Sequence, residues 1–496
     1  MTKLIMPILA DFYKISHRKQ YPEGTELVYS TWTPRASRMK GVDHVVWFGG
    51  QAFYKEFLID LFHEHFFSRP VKDVIAEYVR VIKYTLNVEK PETKHLEDLH
   101  ALGYLPLSIK ALPEGTLVPL RVPVMTIQNT NPKFFWLTNF IESLASSELW
   151  QPSTSATIAR EYKRILDRAA FETVGDIGFT PYQGHDFSFR GMSSLRSAIL
   201  SGMGHLTSFV GTDSIPAIPA AEYYYGANIE KELVGTSIPA TEHSIQCTYA
   251  DDMEYLRNMI SVVHPAGFVS VVSDGYDFWD VIGRVVPALK DQIMARDGKL
   301  VIRPDSGDPV LIVCGDPDGK TELERKGAIE ALWDIFGGTT TPKGYKLLDS
   351  HVGLIYGDAI TLRRAEEIVT RLKAKGFASI NVVFGIGSYT YQYNTRDTFG
   401  WALKSSLCVI NGKEIKIFKD PKTDDGIKKS QKGRVVILRD GDSFKFTDGF
   451  SLKDKVEGDQ LVEVFCDGKL LVEEKFSEIR ARVAISSPPL APKSAK

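Results

Sequence analysis

The chain has 496 residues, 43% hydrophobic and 25% charged, with 60 basic against 62 acidic side chains. That length exceeds one ordinary hydrophobic core and requires two or three packed regions, and an aromatic content of 11% excludes a disordered chain. A formal net charge of −2 gives no global attraction to nucleic acid or an anionic membrane, so anion binding has to come from local clusters.

The N-terminal stretch MTKLIMPILADFYKISH meets Asp11 before it can build the apolar segment of a signal peptide. In chain order, Leu27 to Thr33 then reads as a strand, by its β-branched and aromatic content. Gln51 to Phe66 reads as a helix, and 69–89 as a second one opened by Ser68-Arg69-Pro70. Short strands at Ser108–Leu112 and Gly115–Pro119 flank a Pro-Glu-Gly turn. Two helices, 132–147 and 154–173, close this part.

From about residue 180 a strand–loop–helix grammar repeats. The strand ends are YQGHDFSFRG, FVSVVSDGYDFWD, LVIRPDSGDP, VGLIYGDAIT and SINVVFGIGSY, with helices to about 295, at 320–337 and at 362–375 between them. Such alternation implies a parallel sheet, and polar residues at strand ends match the active-site end of a (β/α) barrel, although a doubly wound open sheet has the same local grammar. After about 400, alternating runs around Asn411-Gly412, Asp440-Gly441 and Asp467-Gly468 read as antiparallel hairpins. The fold expected is α/β: an irregular TIM-like barrel at 146–398, with a β-rich domain built from 1–145 and 399–496. ISSPPLAPKSAK reads as a tail. The four cysteines are too widely spaced for a metal pair or redox motif, which favours a reducing compartment. No run of roughly 18 uncharged apolar residues suggests a membrane span. A soluble cytoplasmic protein is expected.

Several residues at these strand ends carry chemistry. His243 lies in GTSIPATEHS, a stretch with few bulky apolar residues and therefore unlike core packing, though it is one of 11 histidines. Arg303 and Asp305 in IRPDSGDP offer a phosphate grip and a ribose or metal contact, or a salt bridge closing a tight turn. Gly357-Asp358 and Gly385-Ile386-Gly387 end neighbouring strands and offer backbone N–H groups to a phosphate, with helix capping as the alternative for Asp358. Asp274 and Asp277 suit either Mg2+ or a turn and helix cap. Arg190 brings a cation and Phe187 a ring on which a planar substrate can stack. KDPKTDDGIKKSQKGR, beginning at Lys419, is either a solvated turn or a basic lid over phosphates. Together these groups suit phosphoryl or phosphoribosyl chemistry. No Gly-x-Ser-x-Gly elbow or HExxH zinc motif is present.

In their order and spacing, DFYKISHRKQYP, FWLTNFIES, HDFSFRG, GTDSIPA, SIPATEHS, SVVSDGYD, IRPDSGDP, YGDAIT, TRDTFG and IFKDPKTDDGIKKSQKGR resemble the nicotinamide phosphoribosyltransferases, type II phosphoribosyltransferases, nearly end to end. The resemblance implies transfer of phosphoribose from phosphoribosyl pyrophosphate to nicotinamide in NAD salvage, coupled to ATP hydrolysis through a phosphohistidine at His243. It implies that Asp274 orients His243, that Phe187 stacks on the pyridine ring, and that Tyr13 of a second subunit covers the other face in a homodimer. Asp213 would accept the amide hydrogen bond, with Ser237 among the substrate contacts. Arg190 and Arg303 would meet the phosphoribosyl part, Asp305 the ribose hydroxyls, and Gly357, Asp358, Gly385 and Gly387 the 5′-phosphate. Arg35, Arg396, Lys419, Lys428 and Lys429 would meet pyrophosphate or ATP. Mg2+ would arrive on substrate phosphates, with no metal held by the protein alone. Three rivals remain at this point: a nicotinate phosphoribosyltransferase of the same fold, which a carboxylate at Asp213 disfavours, a non-catalytic signalling protein, and a phosphate-binding barrel of unrelated chemistry such as a decarboxylase, which would not need Tyr13 and Phe187 as a paired clamp.

Overall fold

Strand-forming sequence enters the fold from three parts of the chain. The N-terminal part supplies β1 (Thr25–Thr33), β2 (Leu107–Ala111) and β3 (Met125–Asn129). The middle supplies β4 (Gly184–Asp186), β5 (Gly211–Thr212), β6 (Val269–Val272), β7 (Leu300–Arg303), β8 (Val352–Tyr356) and β9 (Val382–Ile386). The C-terminal part supplies β10 (Ala402–Ile410), β11 (Lys413–Lys416), β12 (Val462–Cys466) and β13 (Lys469–Leu470). The computed structural model describes residues 6–419 and 430–485. These fall into two units: one from the described residues of 1–157, 221–227 and 394–486, the other from 158–220 and 228–393.

The first unit holds a seven-stranded antiparallel sheet in the order β11-β10-β1-β3-β2-β12-β13. β1 is buried along most of its length and therefore needs partners on both edges: Val28 faces Cys408 on one side and Ser30 faces Ile127 on the other. Strands from both ends of the chain thus share one sheet, as their alternating patterns suggested. Asn411-Gly412 and Asp467-Gly468 each have both residues at positive φ, the backbone a two-residue hairpin turn requires. In the third hairpin Asp440 pairs with Ser443, so the central turn residues are Gly441 and Asp442. Trp32 stacks on Trp401 at 5.4 Å within the core of this unit.

Three helical features differ from expectation. Glu142–Thr173 is one continuous helix where two were expected, and it contains Pro152. The Pro152 ring fills the space above Gly49, where a Cβ would lie 2.3 Å from its Cγ. Packing, rather than local propensity, keeps that proline in the helix. Lys94–Leu102 and Phe476–Ile485 are also helical; neither was apparent, because both are short.

The second unit is built on a parallel sheet in the order β5-β4-β9-β8-β7-β6. β6 and β7 read VSVV and LVIR and are buried throughout, the mainly apolar run of a strand covered on both faces. The sheet curls. Its two edge strands both reach the irregular segment 236–241: Gly211 bridges Thr236 and Ala240 bridges Ser270, each in parallel sense. Every strand therefore neighbours its sequence successor around the curl, and β9 returns beside β4 through Phe384 and Gly184. This is the irregular barrel expected, with one stave left as loop because Pro239 cannot donate to a ladder. Among the described residues no helix is long and apolar enough to cross a membrane.

Candidate functional site

The C-terminal ends of the barrel strands converge on a cavity of about 880 Å3. β4 delivers Phe187 and Arg190, β5 delivers Asp213, β7 delivers Arg303 and Asp305, β8 delivers Gly357 and Asp358, and β9 delivers Gly387. A second, narrower cavity of about 340 Å3 is lined by apolar side chains of the barrel interior, including Val301, Leu354 and Ile355. Phe187, Asp213 and Ala240 line both, so they mark the junction.

His243 begins a four-residue helical turn directly after the irregular stave. Its Nε2 lies 2.9 Å from Oδ1 of Asp274. A carboxylate can only accept, so Nε2–H donates, and in the neutral ring the lone pair is then on Nδ1. The other Asp274 oxygen accepts from the backbone N–H of Asp305 (2.8 Å) and of Ser306 (2.7 Å). Burial pushes the Asp274 carboxyl up, but the hydrogen bonds from Ser306, Asp305 and His243 outweigh it and hold it below its ordinary value. Asp305 goes the other way: burial raises it and the charges of Asp274 and Asp358 add to that, against the opposing charge of Arg303. Neighbouring carboxyls with pKa values pushed apart are suited to different tasks.

Arg303 is nearly buried and donates through Nη2 to the Thr241 carbonyl at 2.6 Å. Its Nε and Oδ1 of Asp305 are 3.6 Å apart, and both are buried without a hydrogen-bond partner. Polar atoms left unmet in a cavity wall are the ones a polar ligand would satisfy.

Phe187 and Asp213 meet at the junction. A Cβ on Gly385 would lie 2.4 Å from Phe187 Cδ2, and one on Gly357 would lie 2.0 Å from Asp305 Oδ1. These two glycines make room for side chains that line the cavity, a reason distinct from the phosphate grip expected of them. Gly387 has open space before it. Ala359, beside Gly357-Asp358, is held at φ +55, backbone strain of the kind that gathers at functional sites. Asp277 caps the helix at Phe278 by accepting from the N–H groups of Trp279 and Asp280, which is its turn-and-cap role. Thr361, not Asp358, caps the helix Leu362–Ala374.

Asp213 is held by two donors: Ser237 Oγ at 2.6 Å and His185 Nε2 at 2.9 Å, both on Oδ1. His185 was not singled out from the sequence. Its two-residue spacing from Phe187 on a strand was the available signal, since such residues share a face. Tyr13, Arg35, Arg396 and Lys419 belong to the other unit. There Tyr13 is exposed and packs edge-on against His17, Arg35 Nε donates to the Gly400 carbonyl, and Arg396 and Lys419 are exposed. Lys428 and Lys429 lie outside the described residues.

Residues 182–469 match the model of the nicotinate phosphoribosyltransferase family, and residues 5–80 match that of the nicotinamide phosphoribosyltransferase N-terminal domain. The chain is 50% identical to a nicotinamide phosphoribosyltransferase of Acinetobacter baylyi over 499 aligned positions, covering 98% of both. It is 35% identical to one of Xanthomonas campestris pv. campestris, covering 95% of this chain and 96% of that one. The crystal structure of human nicotinic acid phosphoribosyltransferase superposes with a TM-score of 0.59 at 15% identity, covering 98% of this chain and 95% of that one, a likeness of fold.

Proposed function

The chain belongs to the nicotinamide phosphoribosyltransferase family, and on that premise we propose how its barrel mouth carries out the reaction. The enzyme transfers phosphoribose from phosphoribosyl pyrophosphate to nicotinamide, giving nicotinamide mononucleotide and pyrophosphate. The observation that carries the site assignment is the junction, where a ring, Phe187, and a carboxylate, Asp213, stand between a large polar cavity and a narrow apolar one.

Nicotinamide stacks on Phe187 and donates its amide N–H to Asp213, with Ser237 beside it. The phosphoribosyl part fills the larger cavity. Asp305, with an unmet buried oxygen, takes the ribose hydroxyls. Gly357-Asp358 and Gly387-Ser388 present backbone to the 5′-phosphate, and Arg190 and Arg303 supply positive charge. The pyridine nitrogen then lies in line with C1, and its lone pair forms the N–C1 bond as pyrophosphate departs with the C1–O electrons. Alignment and charge neutralisation are the two contributions the protein makes.

No three His, Cys, Asp or Glu side chains among the described residues gather as a metal cage. Mg2+ carried on phosphates needs only one or two carboxylates, and Asp305 and Asp358 fit that requirement. When bound, Mg2+ neutralises charge on the pyrophosphate oxygens. ATP coupling runs through His243: Nδ1 attacks the γ-phosphorus, ADP leaves, and water later releases phosphate. Asp274 stabilises the ring by accepting from Nε2–H throughout. The enzyme works in the cytoplasm as a homodimer in which the second subunit contributes Tyr13, and Arg35, Arg396 and Lys419 serve the leaving phosphates.

The test is product formation by purified protein with phosphoribosyl pyrophosphate and Mg2+, offered nicotinamide or nicotinate, each with and without ATP. Nicotinamide mononucleotide formed preferentially, and faster with ATP, is expected. Equal use of nicotinate would remove the role given to Asp213, and indifference to ATP would remove that given to His243.

A further inference from the structure

Asp213 sits on the barrel rim with a side chain about 44% exposed, and its two carboxylate oxygens are treated differently. Oδ1 takes both donors, His185 Nε2 at 2.9 Å and Ser237 Oγ at 2.6 Å, while no described residue donates to Oδ2. His185 is well placed to enforce this asymmetry. It lies on β4 between β9 and β5, paired with Gly385 and Gly211, and is about nine-tenths buried. A Cβ on Gly211 would come within 2.7 Å of its Nδ1, so the neighbouring strand carries the one residue that admits the imidazole. Its ring also packs against Phe187, centroids 4.9 Å apart. Side chains two apart on one strand therefore serve the two recognition elements of the ring site together.

We propose that His185 is a positioning residue for substrate selectivity: by binding Oδ1 of Asp213 it fixes the carboxylate so that Oδ2 faces the carboxamide of the pyridine substrate. This rests on the reading of Asp213 as the amide acceptor. The geometry explains why a second donor is needed beyond Ser237. A single hydroxyl leaves the carboxylate free to rotate about its Cβ–Cγ bond, whereas two donors on one oxygen define its plane. Burial also works to raise the Asp213 carboxyl, and the hydrogen bond and charge of His185 are the largest opposing influences, holding it below its ordinary value. An ionised, oriented carboxylate accepts from an amide and repels a carboxylate substrate.

The test compares kcat/KM for nicotinamide and nicotinate in His185→Asn, His185→Gln and Asp213→Asn. Asparagine is too short to reach Asp213, and glutamine keeps an N–H at about the right distance. His185→Asn should lower the nicotinamide-to-nicotinate ratio about tenfold, mainly by raising KM for nicotinamide, with KM for phosphoribosyl pyrophosphate unchanged. His185→Gln should recover most of the ratio. If Asp213→Asn collapses the ratio while both His185 variants keep it, the proposal is wrong and the reading of Asp213 stands. If Asp213→Asn keeps the ratio, the reading itself falls and the proposal with it. An equal rise in KM for both substrates in His185→Asn would mark a structural role and overturn the proposal. Should His185→Asn give no soluble protein, Ser237→Ala decides: removing the other donor to Oδ1 should lower the ratio, and an unchanged ratio overturns the proposal.

Discussion

Each unit contains a carboxylate held by backbone N–H groups, and the two have opposite fates. In the first unit Glu114 is fully enclosed: it accepts from the N–H groups of Gly49 (2.6 Å) and Gln51 (2.5 Å) and from Tyr225 Oη (2.9 Å), at the start of the helix that opens at Gly50. Burial and, after it, the nearby charge of Glu474 raise its carboxyl, and the three donors only partly offset them, leaving it at about 7. In the second unit Asp274, with a side chain only about 4% exposed, accepts from the N–H groups of Asp305 and Ser306 and from His243, and it is held below its ordinary value. The shifts are opposite because Glu114 combines complete burial with the neighbouring charge of Glu474, whereas the donors around Asp274 outweigh its burial. Glu114 ties together distant chain segments; Asp274 stays charged and serves a histidine.

The sharpest way to break this comparison is Glu114→Ala. It leaves two backbone N–H groups and a tyrosine hydroxyl buried without an acceptor, and should destabilise the protein by about 3–5 kcal/mol. Chemical denaturation checks this, with kcat per folded molecule unchanged. Asp274→Ala should do the reverse: ATP-stimulated kcat/KM falls roughly 100-fold by steady-state kinetics, with a smaller loss of stability, since His243 loses the acceptor that fixes its tautomer.

A third expectation concerns pH. The folded pKa of Glu114 is about 7 against an ordinary 4.5, so the native state binds more protons between those values. Its stabilising contribution is present below about pH 4.5 and lost as pH rises to about 7, on the order of 2–3 kcal/mol. Glu114→Gln should flatten the stability profile in that window, measured as denaturation midpoints from pH 4.5 to 7.5. The smallest effect is expected from Gly385→Ala. The new methyl displaces the Phe187 ring, raising KM for nicotinamide about tenfold while KM for phosphoribosyl pyrophosphate changes little.

These two carboxylates were unequally legible. Asp274 lies in a strand-end motif whose position in the repeat marked it, and Arg303, Asp305 and Asp358 were visible for the same reason. Glu114 appeared only as the middle of a Pro-Glu-Gly turn. Its partners are 63 residues away at Gln51 and 111 away at Tyr225, and its neighbour Glu474 is 360 away, beyond any local pattern. His185 is equally illegible, because a lone histidine beside Asp186 at a strand end reads as structural until Asp213 arrives from the next strand.

Local chemistry in the sequence determined the strands, the hairpin turns at Asn411-Gly412 and Asp467-Gly468, and the polar strand ends, because each depends on residues within a few positions. The resemblance of ordered motifs determined the family. Tertiary structure alone decided that the irregular stave 236–241 completes the curl, that Pro152 stays within a helix, and that Glu114 becomes a buried carboxyl while Asp274 remains a charged one. Those outcomes depend on which distant segments exclude water from a group, and desolvation is a property of the folded surroundings rather than of the residue.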